Sequence, residues 1–142
     1  MKPTPSMEDY LEKVYLLIKN KGYARSADMA SLLDVNPSSV TKMIQKLGEM
    51  GYINYEKYRG ITLTTKGEQA AKSLVEKHQI LEELLRRIGV DEDKIYHEVE
   101  GIEHYISDQT VERLSNLIDF FNKHQAIQNS FMNFRNNEKK HF

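Results

Sequence analysis

Pro37 constrains this fold more than any other residue. Its ring holds φ at about −65° and removes an N–H, so a helix cannot run through it but can begin at it. Asn36 stands directly before it, with a side-chain oxygen suited to capping the amides that a new helix leaves open. The chain therefore turns at Asp34-Val35-Asn36-Pro37 and starts a helix there. Upstream, Ser6 is placed to cap a first helix that runs to about Asn20, and Gly22 ends it. Ser26 is placed to cap a second, short helix through Leu33. The order is helix, helix, tight turn, helix.

In the helix after Pro37, the 3.6-residue period gathers Val40, Met43, Ile44 and Leu47 on an inner stripe. Ser38, Thr41, Lys42 and Gln45 face outward, with Ser39 and Lys46 at the margin. This outer face is short, polar and slightly basic. Glutamine can pair with adenine edges, Ser and Thr can contact bases or phosphates, and Lys neutralises phosphate. An ordinary solvated helix face would look similar, so the next segment decides. Gly51-Tyr52-Ile53-Asn54-Tyr55 and Ile61-Thr62-Leu63 read as two strands joined by Glu56-Lys57-Tyr58-Arg59-Gly60. A helix-turn-helix followed by a hairpin whose tip carries Lys57, Tyr58 and Arg59 is the order of a winged helix, in which the tip grips the DNA backbone.

Thr65-Lys66-Gly67-Glu68 reads as a capping box opening a long helix through about Ile88, with His78 along its apolar stripe. Gly89 stops it and Asp91 caps the next helix, which carries Val99-Glu100-Gly101-Ile102-Glu103-His104-Tyr105-Ile106. At 100° per residue, Ile95, Val99, Ile102 and Ile106 share one side, and His97, Glu100, Glu103 and His104 share another. Ser107 or Asp108 begins a further helix, a last one spans about Gln125 to Phe134, and the end after Arg135 frays. The expected fold is mainly α: a winged helix-turn-helix DNA-binding domain over residues 1–65, then an all-helical domain over 66–142 in which 66–88 form a linking helix.

Glu100 and Glu103, three apart on a helix, repel unless a positive charge lies between them, and Asp9 and Glu12 repeat that spacing in the first helix. Each feature alone also fits a solvated acidic face, and His78 alone fits a satisfied core histidine. The chain has no cysteine, so a metal would be held by oxygen and imidazole. Net charge is −1 overall, yet residues 1–66 carry ten Lys/Arg against seven Asp/Glu and residues 67–142 carry ten against fourteen. A basic front suits an anion and an acidic back suits a cation. No run of about 18 apolar residues and no apolar signal core occur, which points to the cytoplasm.

Taken together, Asn36-Pro37-Ser38-Ser39-Val40-Thr41-Lys42-Met43, the Glu56–Gly60 wing and Val99-Glu100-Gly101-Ile102-Glu103-His104 resemble the diphtheria toxin repressor family of metal-dependent transcriptional repressors. The similarity runs from about Ser6 to Phe121 and is strongest to its branch of manganese transport regulators. That resemblance implies a two-metal Mn2+ site from Asp9, Glu12, His78, Glu100, Glu103 and His104. The iron-responsive branch has methionine and cysteine at the positions of Asp9 and Glu100, so carboxylates there favour manganese. His97 and Glu82, which with His78 match a second ligand set of the iron branch, stand outside this set. Many iron-branch members continue into a third, barrel-like domain, where this chain stops. The resemblance further implies a homodimer on double-stranded operator DNA, repressing metal-uptake genes when manganese is in excess. No enzymatic activity, membrane or small organic substrate is expected. The competing readings are an iron-responsive repressor of the same family, a winged-helix regulator sensing a small organic ligand, and a carboxylate-bridged metalloenzyme. The last would call for a repeated Glu-x-x-His, which is missing.

Overall fold

The computed structural model describes residues 2–56 and 58–138. These divide into two compact units, Met1–Val75 and Glu76–Phe142, which part inside one long helix.

The first unit contains α1 (Pro5–Lys21), α2 (Ser26–Leu33), α3 (Pro37–Glu49), β1 (Ile53–Glu56), β2 (Gly60–Leu63) and the start of α4 (Thr65–Arg87). Asn36 caps α3 as expected, its Oδ1 accepting from the Ser39 amide at 2.9 Å with Pro37 as the first helical residue. Three other caps differ from the sequence reading. Thr4, not Ser6, caps α1, because Pro5 takes the first helical position that tolerates a missing N–H. Arg25 occupies the cap position of α2 without a side-chain bond, and Ser26 is already helical. Thr64 caps α4: its hydroxyl accepts from the Gly67 amide at 3.0 Å and donates to the Gly51 carbonyl at 2.7 Å, tying the helix start to the wing.

The two strands pair antiparallel, Ile53 opposite Leu63 and Glu56 opposite Gly60. The base of the wing is bound to the α1–α2 connection by backbone, the Ile61 amide donating to the Ala24 carbonyl at 2.8 Å. A Cβ on Gly60, whose φ is 81°, would stand 2.4 Å from that carbonyl oxygen, so this approach requires glycine. Leu11, Val14, Met29, Val40, Leu47, Ile53 and Ile61 are fully buried and form one core beneath the helix-turn-helix and wing. Each such side chain stabilises the unit by about 1.5–3 kcal/mol, which is what holds the outer face of α3 in place.

The second unit contains the rest of α4, then α5 (Glu92–Ile102), α6 (Asp108–Lys123) and α7 (Gln125–Asn137). Leu81, Ile95 and Val99 are buried at its centre, with Leu85, Val90, Ile106 and Leu114 packed around them. Gly89, at φ 94°, ends α4. Ser107 caps α6, accepting from the Thr110 amide at 3.1 Å. The C-terminal helix finishes the end of α4: the Gln128 Nε2 donates to the Arg87 carbonyl at 3.0 Å, and the Arg87 guanidinium bonds Glu83 and Asn122. The helix expected to run through Ile106 is shorter in the structure: α5 stops at Ile102, and Glu103 to Ile106 form turns and a bend.

Candidate metal centre and nucleic-acid face

In the second unit, α4 presents His78 to the end of α5. Its Nδ1 lies 2.7 Å from Glu103 Oε2 and 3.6 Å from Glu100 Oε1, and its Nε2 lies 2.5 Å from Glu82 Oε1, one turn along α4. Both ring nitrogens thus face carboxylates. The hydrogen bond to Glu103 pushes the His78 pKa up to about 9, with the charges of Glu103 and Glu82 adding to it and burial opposing it. The imidazolium is therefore the internal cation among three acids.

Glu103 is fully buried although it lies just beyond α5, because its backbone stays in the right-handed helical region and keeps the facing that the helical wheel assigned to it. Glu100 Oε1 and Glu103 Oε1 are buried without a hydrogen-bond partner among the described residues. Nε2 of His104 approaches Glu103 Oε1 at 3.7 Å. Buried carboxylate oxygens with spare lone pairs are expensive unless a cation or donor meets them. His78, Glu100 and Glu103 can each offer a ligand atom within 4.8 Å of the others. Oxygen and imidazole with no sulfur suit a divalent cation of hard or borderline character, so these residues fit a metal.

Of the sequence-predicted ligands, the second unit brings together His78, Glu100, Glu103 and His104. Asp9 and Glu12 lie in the first unit, one turn apart on α1, Asp9 half-buried and Glu12 buried. Glu82, left outside the predicted set, makes the shortest of the contacts to His78. Its i,i+4 spacing from His78 was the available signal. His97 is exposed, with its ring edge against Tyr96 at 6.1 Å.

On the first unit, Ser38, Ser39, Thr41, Lys42, Gln45 and Lys46 are all exposed along α3. The Ser38 hydroxyl donates to Asn36 Oδ1 at 2.6 Å and the Thr41 hydroxyl to the Pro37 carbonyl at 3.1 Å, so both meet a ligand chiefly as acceptors. Lys42, Gln45 and Lys46 make no hydrogen bond to the protein among the described residues and extend outward. At the wing tip Tyr58 is 85% exposed, and Arg59 reaches Glu56 at 3.5 Å in an exposed pair. Lys57 lies outside the described residues. No described helix is long and apolar enough to cross a membrane.

Comparison with known proteins adds a second line of observation. Residues 2–61 match the family model for the iron dependent repressor, N-terminal DNA binding domain, and residues 64–130 match that for its metal binding and dimerisation domain. The HTH-type transcriptional regulator MntR of Lysinibacillus sphaericus is 57% identical over 125 residues, spanning 88% of this chain and 90% of that one. Its namesake from Bacillus subtilis is 50% identical over 138 residues, 97% of each chain. Among solved structures, the manganese regulator SloR superposes with a TM-score of 0.72 at 32% identity over 84% of this chain. This chain spans 55% of the length of that one.

Proposed function

We infer the function from one premise: the chain belongs to the iron-dependent repressor family, its front matching the DNA-binding domain and its back the metal-binding and dimerisation domain. Within that family it acts as a manganese-responsive transcriptional repressor, a homodimer that binds operator DNA in the cytoplasm and silences metal-uptake genes when Mn2+ is plentiful. Residues 1–65 read the DNA, 66–142 hold metal and dimerise, and 66–88 link the two. The observation that carries this reading is the cluster around His78: an imidazolium among Glu82, Glu100 and Glu103, with buried carboxylate oxygens to spare and no sulfur donor. The similarity to the solved manganese regulator SloR and to a manganese-dependent transcriptional repressor solved with manganese supports manganese as the ion.

Asp9, Glu12, His78, Glu100, Glu103 and His104 would hold two Mn2+ per chain. Bound there, the ions supply the positive charge that lets so many carboxylates share one site. Asp9 and Glu12 belong to the DNA-reading front and the other four to the back, so metal binding is coupled to the DNA-reading unit, and metal and DNA each strengthen the binding of the other. Ser38, Ser39, Thr41, Lys42, Gln45 and Lys46 then face the major groove, and Lys57, Tyr58 and Arg59 the flanking backbone.

Fluorescence anisotropy on an operator selected from a random library, with manganese, without it, and with manganese plus chelator, tests this function. Manganese is expected to tighten binding by about 5- to 150-fold, the usual size of such coupling. Equal affinity in all three conditions would refute it.

A further inference from the structure

Three cavities in the first unit share lining residues in series, forming a trough whose far end carries two cations, Lys19 and Arg25, that belong to neither α3 nor the wing tip. The first, about 410 Å³, is lined by the base-reading side chains Thr41 and Gln45 together with Ser26 and Tyr55. The second, about 290 Å³, shares Ser26 and Tyr55 with it and adds Arg25 and Tyr58. The third, about 550 Å³, shares Arg25 and Tyr58 with the second and adds Lys19, Tyr23 and Arg59. The shared linings thus lead from residues of α3, through the start of α2 and the wing, to the C-terminal end of α1.

Lys19, Arg25 and Arg59 line that end against one carboxylate, Glu68. Lys19 and Arg25 have no carboxylate partner among the described residues. They rest instead on aromatic faces, Lys19 Nζ at 5.7 Å from the Tyr15 ring centre and the Arg25 guanidinium at 4.8 Å from that of Tyr23. Stacking of this kind orients a cation without neutralising it. The position of Arg25 is also fixed: Ala24, its neighbour in the chain, is bridged by backbone to Gly60 and Ile61 of the wing. Cations held open on a rigid frame, at the end of a trough that starts at the base readers, match the repeating charge of a phosphodiester backbone.

We propose that this trough seats the DNA backbone beyond the wing, with Lys19 and Arg25 as phosphate contacts additional to those of α3 and the wing tip. The inference rests on the DNA-binding reading above and extends its footprint. Neither residue belongs to the DNA-contacting set read from the sequence, because Lys19 lies on a different helix and Arg25 in a connection with no periodicity.

The test uses the full chain with excess manganese and a labelled 40-base-pair duplex of random sequence, whose affinity is measured across a potassium chloride series. Each phosphate contact contributes about 0.9 to the slope of log affinity against log salt. For a dimer with both copies engaged, Lys19→Ala and Arg25→Ala should each lower that slope by about two, and the double variant by about four. Lys72→Ala, an exposed cation of the same unit that does not line the trough, should leave it unchanged. A wild-type chain that fails to bind the duplex would overturn the DNA-binding reading and this inference together. Wild-type binding with unaltered slopes in all variants would overturn the inference alone. Free AMP bound by the wild type and lost in the double variant, with duplex slopes unaltered, would assign the trough to a small anion and overturn it as well.

Discussion

Glu103→Gln is the substitution for which the structure reverses the expectation from sequence. On a helical wheel Glu103 is one of a repelling pair, and removing its charge should stabilise the metal-free chain. In the structure it is fully buried and 2.7 Å from a protonated His78, so the change removes an attraction. A hydrogen bond to a charged group contributes about 1.5–3 kcal/mol, and Glu82 and Glu100 still face the imidazolium, so the loss should lie near 2 kcal/mol. For a chain of this size that lowers the melting temperature by roughly 5–10 °C. The pH dependence follows from the raised pKa. His78 moves from its ordinary 6.5 to about 9 in the folded chain, so its contribution is complete below 6.5 and fades as pH rises through 9. The gap between wild type and Glu103→Gln should therefore be full at pH 6 and nearly closed above 9. Thermal melts by circular dichroism in chelator, from pH 6 to 9.5, measure it, and the same melts with manganese should show the metal-induced rise lost in the variant. A metal-free variant as stable as the wild type at pH 6, or a gap that widens with pH, would refute the reasoning.

Because His78 holds a proton at neutral pH, a metal that takes its nitrogen must displace that proton. Manganese affinity should rise about tenfold per unit between pH 7 and 8, and calorimetry in two buffers of different ionisation enthalpy should show about one proton released; none released would remove His78 from the ligand set. Asp9→Met with Glu100→Cys replaces hard anionic oxygens by thioether and thiol, so operator binding in anaerobic metal titrations should come to favour ferrous iron or cobalt over manganese. A double variant that answers to manganese as strongly as the parent would count against these two residues as the source of metal choice. On α3, Gln45→Ala should relax base preference, at a loss of about 1–3 kcal/mol on the best sequence, whereas Lys46→Ala should weaken all sequences alike and lower the salt slope by about one per copy. Equal losses on selected and random duplexes would remove Gln45 as a base reader.

What could be read in advance was what depends on short-range geometry. Asn36 and Pro37 act within one turn, and the facing of α3 needs only the helical period, so both were legible. Thr4 and Thr64 were missed as caps because Ser6 and Thr65 are chemically equal candidates one or two residues away, and the choice depends on Pro5 and on the Gly51 carbonyl. Glu82 was visible as a neighbour of His78 on one helix, but its weight in the site comes from the contacts that His78 makes with α5, 25 residues away at Glu103. Nothing in the sequence brings Ala24 to Gly60, since a backbone-to-backbone approach carries no side-chain signature apart from a glycine.

The bond from Gln128 to the Arg87 carbonyl spans 41 residues and bears on how the chain is born. A ribosome delivers residues in order at about 5–20 per second, so the end of α4 leaves the tunnel roughly 2–8 s before the side chain that completes it. During that interval the first unit already has every residue of its own, whereas the second still has an open carbonyl at Arg87 and an unfinished core edge. A newly made copy thus acquires its DNA-reading surface before its sensing surface, and a transcript cut short before Gln128 would yield a reader whose sensing half lacks its closing bond.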